Sequence, residues 1–390
     1  MILRRLNKEI IMTIFLLIPL FKPSGLEYYP AINNLFLIWK FVSLLMIAFY
    51  LVSDVIRTKE LLINRGILAL IVFWIIYISN NMSRNISNVE ITNNAVISIL
   101  LVSYMINRAR HGKLLILLKS LNDIFKCWFW LQIISVILSR LGITLFGRLE
   151  GDYLYFLGTD NYSSFMMIPM IGTIMYTERL VNGNKYKPNL FYISLYTLIN
   201  LLLKSYTAFI GGAIILILII LSQYTDKIIR WLSIKKILVM CVVFLVAVIV
   251  LKVQNHFSWL LVDKMHKGLS LSSRTFIWND ALKIIKENLF WGRGSFTNSE
   301  ISSYILYGTT HAHNIILELL MRTGILGTVS YLIFMLYPLK ARKHGIMLIF
   351  YIGQVVLFFM DFYVTIQYFY CFVGLLYAEN IARLNAKGDS

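Results

Sequence analysis

Acidic residues and cysteines are scarce in this chain of 390 residues. It has 19 Asp and Glu against 37 Lys and Arg, and its three cysteines are Cys127, Cys241 and Cys371. All three lie inside apolar stretches, so neither a disulfide framework nor a zinc site of C-x-x-C spacing is indicated. Charged residues make up 14% of the chain, too few for a soluble domain of this length.

Apolar residues dominate instead, at 58% of the chain with a mean hydropathy of +0.72. They recur in runs near the length of about 20 residues that crosses a bilayer core. The sequence therefore predicts an all-α polytopic membrane protein of about twelve transmembrane helices. The predicted spans are 9–22, 33–53, 61–79, 92–107, 121–139, 163–178, 189–203, 206–223, 236–253, 322–338, 345–361 and 363–380.

The placement of Lys and Arg predicts the orientation of these spans. With the N-terminus in the cytoplasm, every internal loop is short and basic, whereas the short external loops hold almost no Lys or Arg. The net charge of +18 is then a topology signal, and no nucleic-acid partner is indicated. The start of the chain resembles a signal peptide but lacks a small-residue cleavage site, so we interpret it as a retained first span. Both termini are predicted to be cytoplasmic.

The same arrangement predicts three regions. Residues 1–253 hold spans one to nine, residues 254–313 form a long external loop expected to be catalytic, and residues 314–390 hold spans ten to twelve with a cytoplasmic tail. The Asn-rich loop 80–91 is interpreted as a connector. The external loop 140–162 carries a group of polar residues on the same side as the long loop, namely Arg148, Glu150, Asp152, Asp160 and Asn161.

An amphipathic helix is predicted in the long loop from about Ser273. Its apolar stripe is predicted to consist of Trp278, Leu282, Ile285 and Leu289. Such a helix lies on the membrane surface or caps the bundle. Arg274 stands at the head of this stripe, where it pairs either with a lipid headgroup or carboxylate, or with a phosphate-bearing substrate.

Glycines and histidines follow this helix. Gly292 and Gly294 form a G-x-G segment, which either makes a turn or lets the backbone approach a ligand. His311 and His313 are two residues apart and would not share a helix face, which argues against a helical metal pair. A histidine at the membrane boundary serves either as a hydrogen-bonding residue or as a general base. Lys204, in the tight turn between spans seven and eight, either faces this site or extends to the interface.

Together these segments resemble the O-antigen ligase/polymerase superfamily of bacterial surface polysaccharide assembly. The resemblance rests on R-x-x-x-W at Arg274, on the G-x-G, on His313-Asn314, and on the G-I-L-G that ends at Gly327. The segment from Arg148 to Asn161 resembles another motif of this superfamily. One departure is the turn Ser205-Tyr206, where the family often has Ser-Arg; Lys204 is the candidate for the missing charge.

The resemblance implies a glycosyltransferase that uses an undecaprenyl-pyrophosphate-linked glycan and no metal or cofactor. It implies His313 as general base and Arg274 as the cation that stabilises the pyrophosphate. The substrate-binding residues that it implies are Arg148, Arg293, His311, Asn314, Asp160, Asn161 and Lys204. Membrane lipid, a chain-length regulator and a flippase are the further partners, and the bacterial inner membrane is the expected location.

Three functions follow from this sequence. The leading one is a Wzy-type polymerase that extends O-antigen or capsule by one lipid-linked repeat unit at a time. The second is an O-antigen ligase that transfers the glycan to the lipid A–core of lipopolysaccharide. The third, from a different class, is a flippase for lipid-linked oligosaccharides. The near absence of charges within the predicted spans disfavours it, and no G-x-x-x-x-G-K-[ST] segment indicates an ATP-driven pump.

Overall fold

A computed structural model of the chain describes residues 2–60, 63–149, 152–183, 188–224, 236, 239, 243, 274–303, 305–340, 345–362 and 365–388. Most of the predicted ninth span, 236–253, lies outside these residues. So do the first part of the long loop, 254–273, with the predicted helix start at Ser273, and the loop residue Glu150.

The described chain is helical almost throughout. Its helices are α1 Ile2–Leu17, α2 Pro30–Thr58, α3 Arg65–Met82, α4 Val89–Arg110, α5 Leu114–Arg140, α6 Asp160–Asn182, α7 Phe191–Leu202, α8 Tyr206–Tyr224, α9 Arg274–Glu287, α10 Asn298–Ser302, α11 Ile315–Leu336, α12 Ile346–Phe358 and α13 Gln367–Gly388. Short 3₁₀ segments cover Ile18–Phe21, Ser24–Tyr28, Ile305–Gly308 and Tyr337–Lys340. Two-residue strands, β1 Arg148–Leu149 and β2 Asp152–Tyr153, form one antiparallel hairpin.

Hydropathy and length mark this bundle as a membrane protein. Within the described residues, six helical segments are long and apolar enough to cross a bilayer: α2, α3, α4, α5, α8, and Ile315–Lys340, which comprises α11 and the 3₁₀ turn after it. Helix α2 leaves large apolar side chains such as Ile38 and Phe49 on the outer surface, as expected of a lipid-facing helix. The all-α polytopic class predicted from the sequence is confirmed, and the count of twelve spans stays a prediction.

Polar residues collect at the two ends of the bundle. At one end, Lys113 pairs with Glu9, and Asp54 accepts a hydrogen bond from Asn107 Nδ2 at 2.6 Å. We refer to this as the basic end, defined by Glu9, Asp54, Arg108 and Lys113. The opposite, loop-rich end is formed by residues 18–29, 83–88, 141–149, 152–159, 203–205, 288–303, 305–314, 359–362 and 365–366. Contacts such as Gly25 N–H to Phe156 O at 2.9 Å hold these loops together.

Helix α11 is broken by a kink at Gly324, where φ is 60° and ψ is −166°. The segment 288–294 docks against this break: Gly294 N–H donates to Arg322 O at 2.9 Å, and Ile325 N–H donates to Leu289 O at 2.9 Å. A side chain on Gly292 would overlap the backbone nitrogen of Gly324. The G-x-G thus lets the backbone approach the kinked helix itself.

Helix α9 buries a different face from the predicted one. Ile277, Trp278, Ala281, Ile284 and Ile285 are buried in a small core with residues from α11, whereas two members of the predicted stripe are on the surface. Those two are Leu282 and Leu289, exposed by 44% and 41%. Leu282 and Leu289 take no part in this core because the helix packs on α11 through the stripe one residue earlier.

The loop 80–91 is more than the predicted connector, because its first residues anchor the long loop. Asn81 Oδ1 accepts a hydrogen bond from Ser295 N–H at 2.7 Å. Arg84 Nη1 donates to Ser295 O at 2.8 Å, and Arg84 also forms an ion pair with Glu300. These contacts fix the segment that precedes the two histidines to the end of α3.

Candidate active site

His313 lies in a non-helical turn immediately before α11. Its φ of 50° is in the left-handed region, which is uncommon for residues other than glycine. Asn314, the next residue, is buried and caps α11 by accepting hydrogen bonds from Ile316 N–H and Leu317 N–H. Its Nδ2 donates to Phe359 O at 3.0 Å, which ties the histidine turn to the loop after α12.

That loop brings a carboxylate to the histidines. His313 Nδ1 lies 3.0 Å from Asp361 Oδ1, within hydrogen-bond distance, and His311 Nε2 lies 3.4 Å from the same oxygen. The two imidazole rings are 4.0 Å apart between centroids. Asp361 is 5% exposed, and its Oδ1 also accepts from Phe362 N–H at 3.0 Å. The carboxylate therefore holds both rings at the loop-rich end.

The charges of this cluster determine its protonation. Burial lowers the pKa of His313, and nearby His311 and Arg274 lower it further, which together outweigh the hydrogen bond and charge of Asp361. Burial raises the pKa of Asp361, but the hydrogen bonds and charges of both histidines hold it well below its ordinary value. Asp361 is thus a carboxylate and His313 a neutral imidazole at neutral pH.

The tautomer of His313 follows from its partner. A carboxylate only accepts hydrogen bonds, so Nδ1 must carry the ring proton. Nε2 of the neutral ring is then the nitrogen with a lone pair available for a proton.

Arg274 begins helix α9, and its guanidinium is near enough to His313 to lower that pKa. Helix α9 is held in this position by Trp278, which is 2% exposed and whose Nε1 donates to Ala312 O at 3.0 Å. One turn of helix therefore connects the arginine to the residue between the two histidines.

A buried ion pair within α11 holds the histidine turn in place through hydrogen bonds. Arg322 Nε lies 2.9 Å from Glu318 Oε1, and Glu318 Oε2 accepts from Ala312 N–H at 2.7 Å. Arg322 also donates to Gly294 O at 3.1 Å and to Thr310 O. The pair joins the G-x-G, the histidine turn and α11 into one unit.

Arg293 makes contacts within the protein. It forms an ion pair with Glu300, and its guanidinium carbon lies 5.6 Å from the ring centroid of Phe296. Burial raises the pKa of Glu300, but the Thr297 N–H and the charges of Arg293 and Arg84 lower it to about 2. The predicted substrate-binding role of Arg293 stays a prediction beside this structural one.

The remaining predicted residues form two other groups at the loop-rich end. Arg148 donates from Nη2 to Tyr153 Oη at 2.7 Å and stacks over that ring at 4.4 Å. Asn161 Oδ1 accepts from Ser205 Oγ at 3.0 Å, which brings the start of α6, where Asp160 lies, beside the turn of Lys204. Lys204 is exposed, with a φ of 60°.

Ring contacts connect the start of α6 to the histidine cluster. Phe165 stacks on Phe358 at 5.9 Å, and Phe358 packs edge-on against Phe362 at 4.9 Å, next to Asp361. Arg148, Asp160, Asn161 and Lys204 lie at the same end of the bundle as the histidines.

Sequence reasoning missed Asp361, Glu318 and Arg322. A signal existed for each, since an ionisable residue inside an apolar stretch is a candidate functional or structural site. Glu318 and Arg322 are also four residues apart, the spacing of an ion pair on a helix. The predicted span 345–361 ends at Asp361, and only the tertiary structure connects this residue with His313.

His311 and His313 lie in a turn, so the helix spacing that disfavours a metal pair does not apply to them. Their nitrogens and an Asp361 oxygen lie within 4.8 Å of one another, close enough to share a metal ion. The 3.0 Å contact between His313 Nδ1 and Asp361 is equally the distance of an ordinary hydrogen bond. The expectation of a metal-free reaction stays a prediction.

A known family matches the part of the chain that holds both histidines of this cluster. The family model Wzy_C, described as O-Antigen ligase, matches residues 191–332, a range that contains Arg274, His311, His313 and Asn314. No curated protein matches the chain. The family match confirms the resemblance seen in the motifs. Residues 191–332 thus belong with the O-antigen ligase/polymerase superfamily, whose activity is that of membrane glycosyltransferases acting on lipid-linked glycans.

Proposed function

We propose that the protein is a polysaccharide polymerase of the bacterial cytoplasmic membrane. It transfers a glycan from an undecaprenyl-pyrophosphate carrier to the end of another lipid-linked repeat unit on the external face. The observation that carries this proposal is the 3.0 Å contact between His313 Nδ1 and Asp361 Oδ1, with Arg274 close to the same histidine. The family match supports the glycosyl-transfer chemistry in general.

His313 is the general base in this reaction. Its Nε2 accepts the proton of the acceptor sugar hydroxyl, and the hydroxyl oxygen attacks the anomeric carbon of the donor glycan. The bond from the anomeric carbon to the pyrophosphate oxygen breaks, and its electron pair leaves with the carrier. Asp361 orients the ring and stabilises the imidazolium that forms.

Arg274 stabilises the leaving group. Negative charge develops on the pyrophosphate as the glycosidic bond breaks, and a guanidinium forms paired hydrogen bonds to phosphate oxygens without losing its own proton. Arg148, Asp160, Asn161 and Lys204 are proposed to bind donor or acceptor sugars and phosphates at the same end of the bundle. His311 and Asn314 border the base itself.

The experiment is reconstitution of the purified protein in liposomes with the lipid-linked repeat unit of its native pathway. Wild type is expected to produce a ladder of products on a gel. His313→Ala is expected to lose about 10²- to 10⁴-fold in rate, the usual contribution of a general base. His311→Ala tests whether its neighbour is the base instead.

A matched control is available at the basic end. His111 Nε2 lies 2.9 Å from Asp54 Oδ1, so His111→Ala removes a histidine with the same kind of partner far from the proposed site. This variant is expected to retain wild-type activity. Full activity of His313→Ala would overturn the assignment of the base.

Other outcomes distinguish the remaining functions. Transfer that occurs only after lipid A–core is added identifies an O-antigen ligase, the activity in the description of the matching family. Movement of the lipid-linked sugar across the bilayer without transfer identifies a flippase. Chain-length regulators and flippases are then tested as partners by adding each to the ladder assay.

Removal of metal ions with EDTA tests the expectation that the reaction needs no metal. If the Asp361 contact to His313 is a hydrogen bond, EDTA treatment leaves the rate of transfer unchanged. Added Zn²⁺ is then expected to inhibit, because imidazole nitrogens and a carboxylate oxygen within 4.8 Å of one another are suitable zinc ligands. Loss of activity in EDTA that is restored by a divalent metal would replace the proposed mechanism with a metal-dependent one.

A further inference from the structure

A cavity of about 470 Å³ lies at the basic end of the bundle, away from the proposed active site. It is bounded by α1, α2 and α4. Most of its walls are apolar, and Met12 and Phe49 at its edge are 46% and 76% exposed. The cavity is therefore open to the lipid-facing surface of α1 and α2.

One end of this cavity is positively charged. Lys113 Nζ lies 3.1 Å from Glu9 Oε2, and Arg108 Nη2 lies 3.6 Å from the same oxygen. The second distance is too long for a hydrogen bond. Two cations thus share one carboxylate, which leaves an excess positive charge at this end.

Arg108 is the second observation that points to a ligand. Its side chain is 8% exposed, and its Nε and Nη2 atoms are buried without a hydrogen-bond partner. Buried donors on a charged group normally have hydrogen-bond partners, because a buried donor without a partner raises the free energy of the folded state. Arg108 lines the cavity, so a ligand there can supply the missing acceptor oxygens.

The cavity has a charged end and an apolar end. Helices α1 and α2 line it in opposite directions, so that Glu9 and Ser53 lie towards the charged end, and Leu16 and Met46 lie deeper in the apolar bundle. Seven residues of helix extend about 10 Å. This length suits the first part of an acyl chain, with its polar head at the membrane boundary.

We propose that this cavity binds one anionic phospholipid of the surrounding leaflet. Arg108 and Lys113 hold its phosphate, and an acyl chain lies along the apolar walls formed by α1 and α2. Anionic lipids are enriched in the cytoplasmic leaflet, where the predicted topology places this end. A free phosphate would use the same cations but would leave the apolar part of the cavity unfilled. The proposal does not depend on the proposed function.

The test is native mass spectrometry of the purified full-length protein, delipidated in detergent. Three probes are titrated: dioleoylphosphatidylglycerol, dioleoylphosphatidylcholine with the same tails, and inorganic phosphate. One phosphatidylglycerol is expected to bind at least about tenfold more tightly than either of the others. Equal binding of the two lipids, or equally tight binding of inorganic phosphate, would overturn the proposal.

Variants test the residues. Arg108→Gln is expected to weaken phosphatidylglycerol binding by at least about tenfold. Arg57→Gln is the matched control, because it removes the same charge from a 75% exposed position at the same end but outside the cavity. Ser53→Trp fills the cavity without changing its charges and is expected to weaken binding similarly. Because Ser53 is exposed, this variant decides the matter if Arg108→Gln does not fold; unchanged binding in it overturns the proposal.

Discussion

Neighbouring groups shift the pKa of His313 in opposite directions. Burial, His311 and Arg274 lower its pKa, whereas the Asp361 hydrogen bond and charge raise it. A general base must be unprotonated, so transfer is expected to fall as the pH drops through the lowered pKa. Because the lowered value lies below the ordinary histidine pKa of about 6.5, the enzyme should stay active into mildly acidic conditions.

Replacement of the carboxylate gives the first prediction. Asp361→Asn removes the negative charge that raises the pKa of His313 and leaves only a neutral, weaker acceptor at the same position. The acid limb of the rate–pH profile should therefore move to lower pH, while the maximal rate falls because the ring loses the carboxylate that fixes its tautomer and stabilises the imidazolium. Initial rates of transfer between pH 4 and pH 9 check both effects. A profile that moves to higher pH would contradict the assigned pairing.

Replacement of the arginine gives the opposite shift. Arg274→Gln removes a positive charge that lowers the pKa of His313, so the acid limb should move to higher pH. The maximal rate should fall as well, since the leaving pyrophosphate loses a cation. The same rate–pH series measures this variant. An unshifted profile with an unchanged rate would remove Arg274 from the site.

At the scale of single elements, helix α9 positions the arginine by packing on α11. Its buried face comprises Ile277, Trp278, Ala281, Ile284 and Ile285, and Trp278 also donates to Ala312 O. The face predicted from apolar spacing shares Trp278 and Ile285 with it. The two faces differ at Leu282 and Leu289, so substitutions distinguish them.

Ile277→Ala and Leu282→Ala form a matched pair for this element. Ile277 is 2% exposed, so its truncation should cost about 2–5 kcal/mol of packing free energy. Leu282 is 44% exposed, and its truncation should change stability by about 0.5 kcal/mol or less. Thermal unfolding of both variants in detergent gives the comparison. A larger drop in melting temperature for Leu282→Ala would favour the face predicted from the sequence.

Helix α11 shows how one element serves two purposes. Its kink at Gly324 presents the carbonyl of Arg322 to Gly294 N–H, and the Arg322 side chain returns a hydrogen bond to Gly294 O. The part before the kink supports the histidine turn through Glu318, and the part after it belongs to the apolar bundle. Gly292 and Gly324 are required here by the close approach of two backbones.

At the scale of the whole molecule, the loops divide between two ends. The loops of the proposed active site gather at the loop-rich end, and the proposed lipid cavity lies at the basic end. The positive-inside pattern predicts that the loop-rich end faces outward. A polymerase of exported repeat units needs its acceptor and donor sugars on that outer face.

Cysteine labelling tests this orientation. Ser299 in α10 and Asn385 near the end of α13 are both exposed, at opposite ends of the bundle. In a variant without Cys127, Cys241 and Cys371, a membrane-impermeant maleimide should label Ser299→Cys in intact cells. Asn385→Cys should react only after permeabilisation. The reverse pattern would invert the topology and place the histidine cluster on the cytoplasmic side.

The class of the protein was determined by its sequence alone. Runs of apolar residues near the thickness of a bilayer have few alternatives to helices, because unpaired backbone groups are unfavourable in hydrocarbon. The motifs likewise located Arg274 and His313 within the segment matched by the family model. These features are local, so spacing and composition were sufficient to predict them.

Only the tertiary structure decided which residues meet. Asp361 lies 48 positions after His313 in the chain, and the two come within 3.0 Å because the loop after α12 folds against the turn before α11. The same holds for the buried face of α9, which depends on the position of α11, and for the two histidines, which come together because their turn is not helical. Such contacts depend on how helices pack against one another, and residue spacing along the chain does not encode that packing.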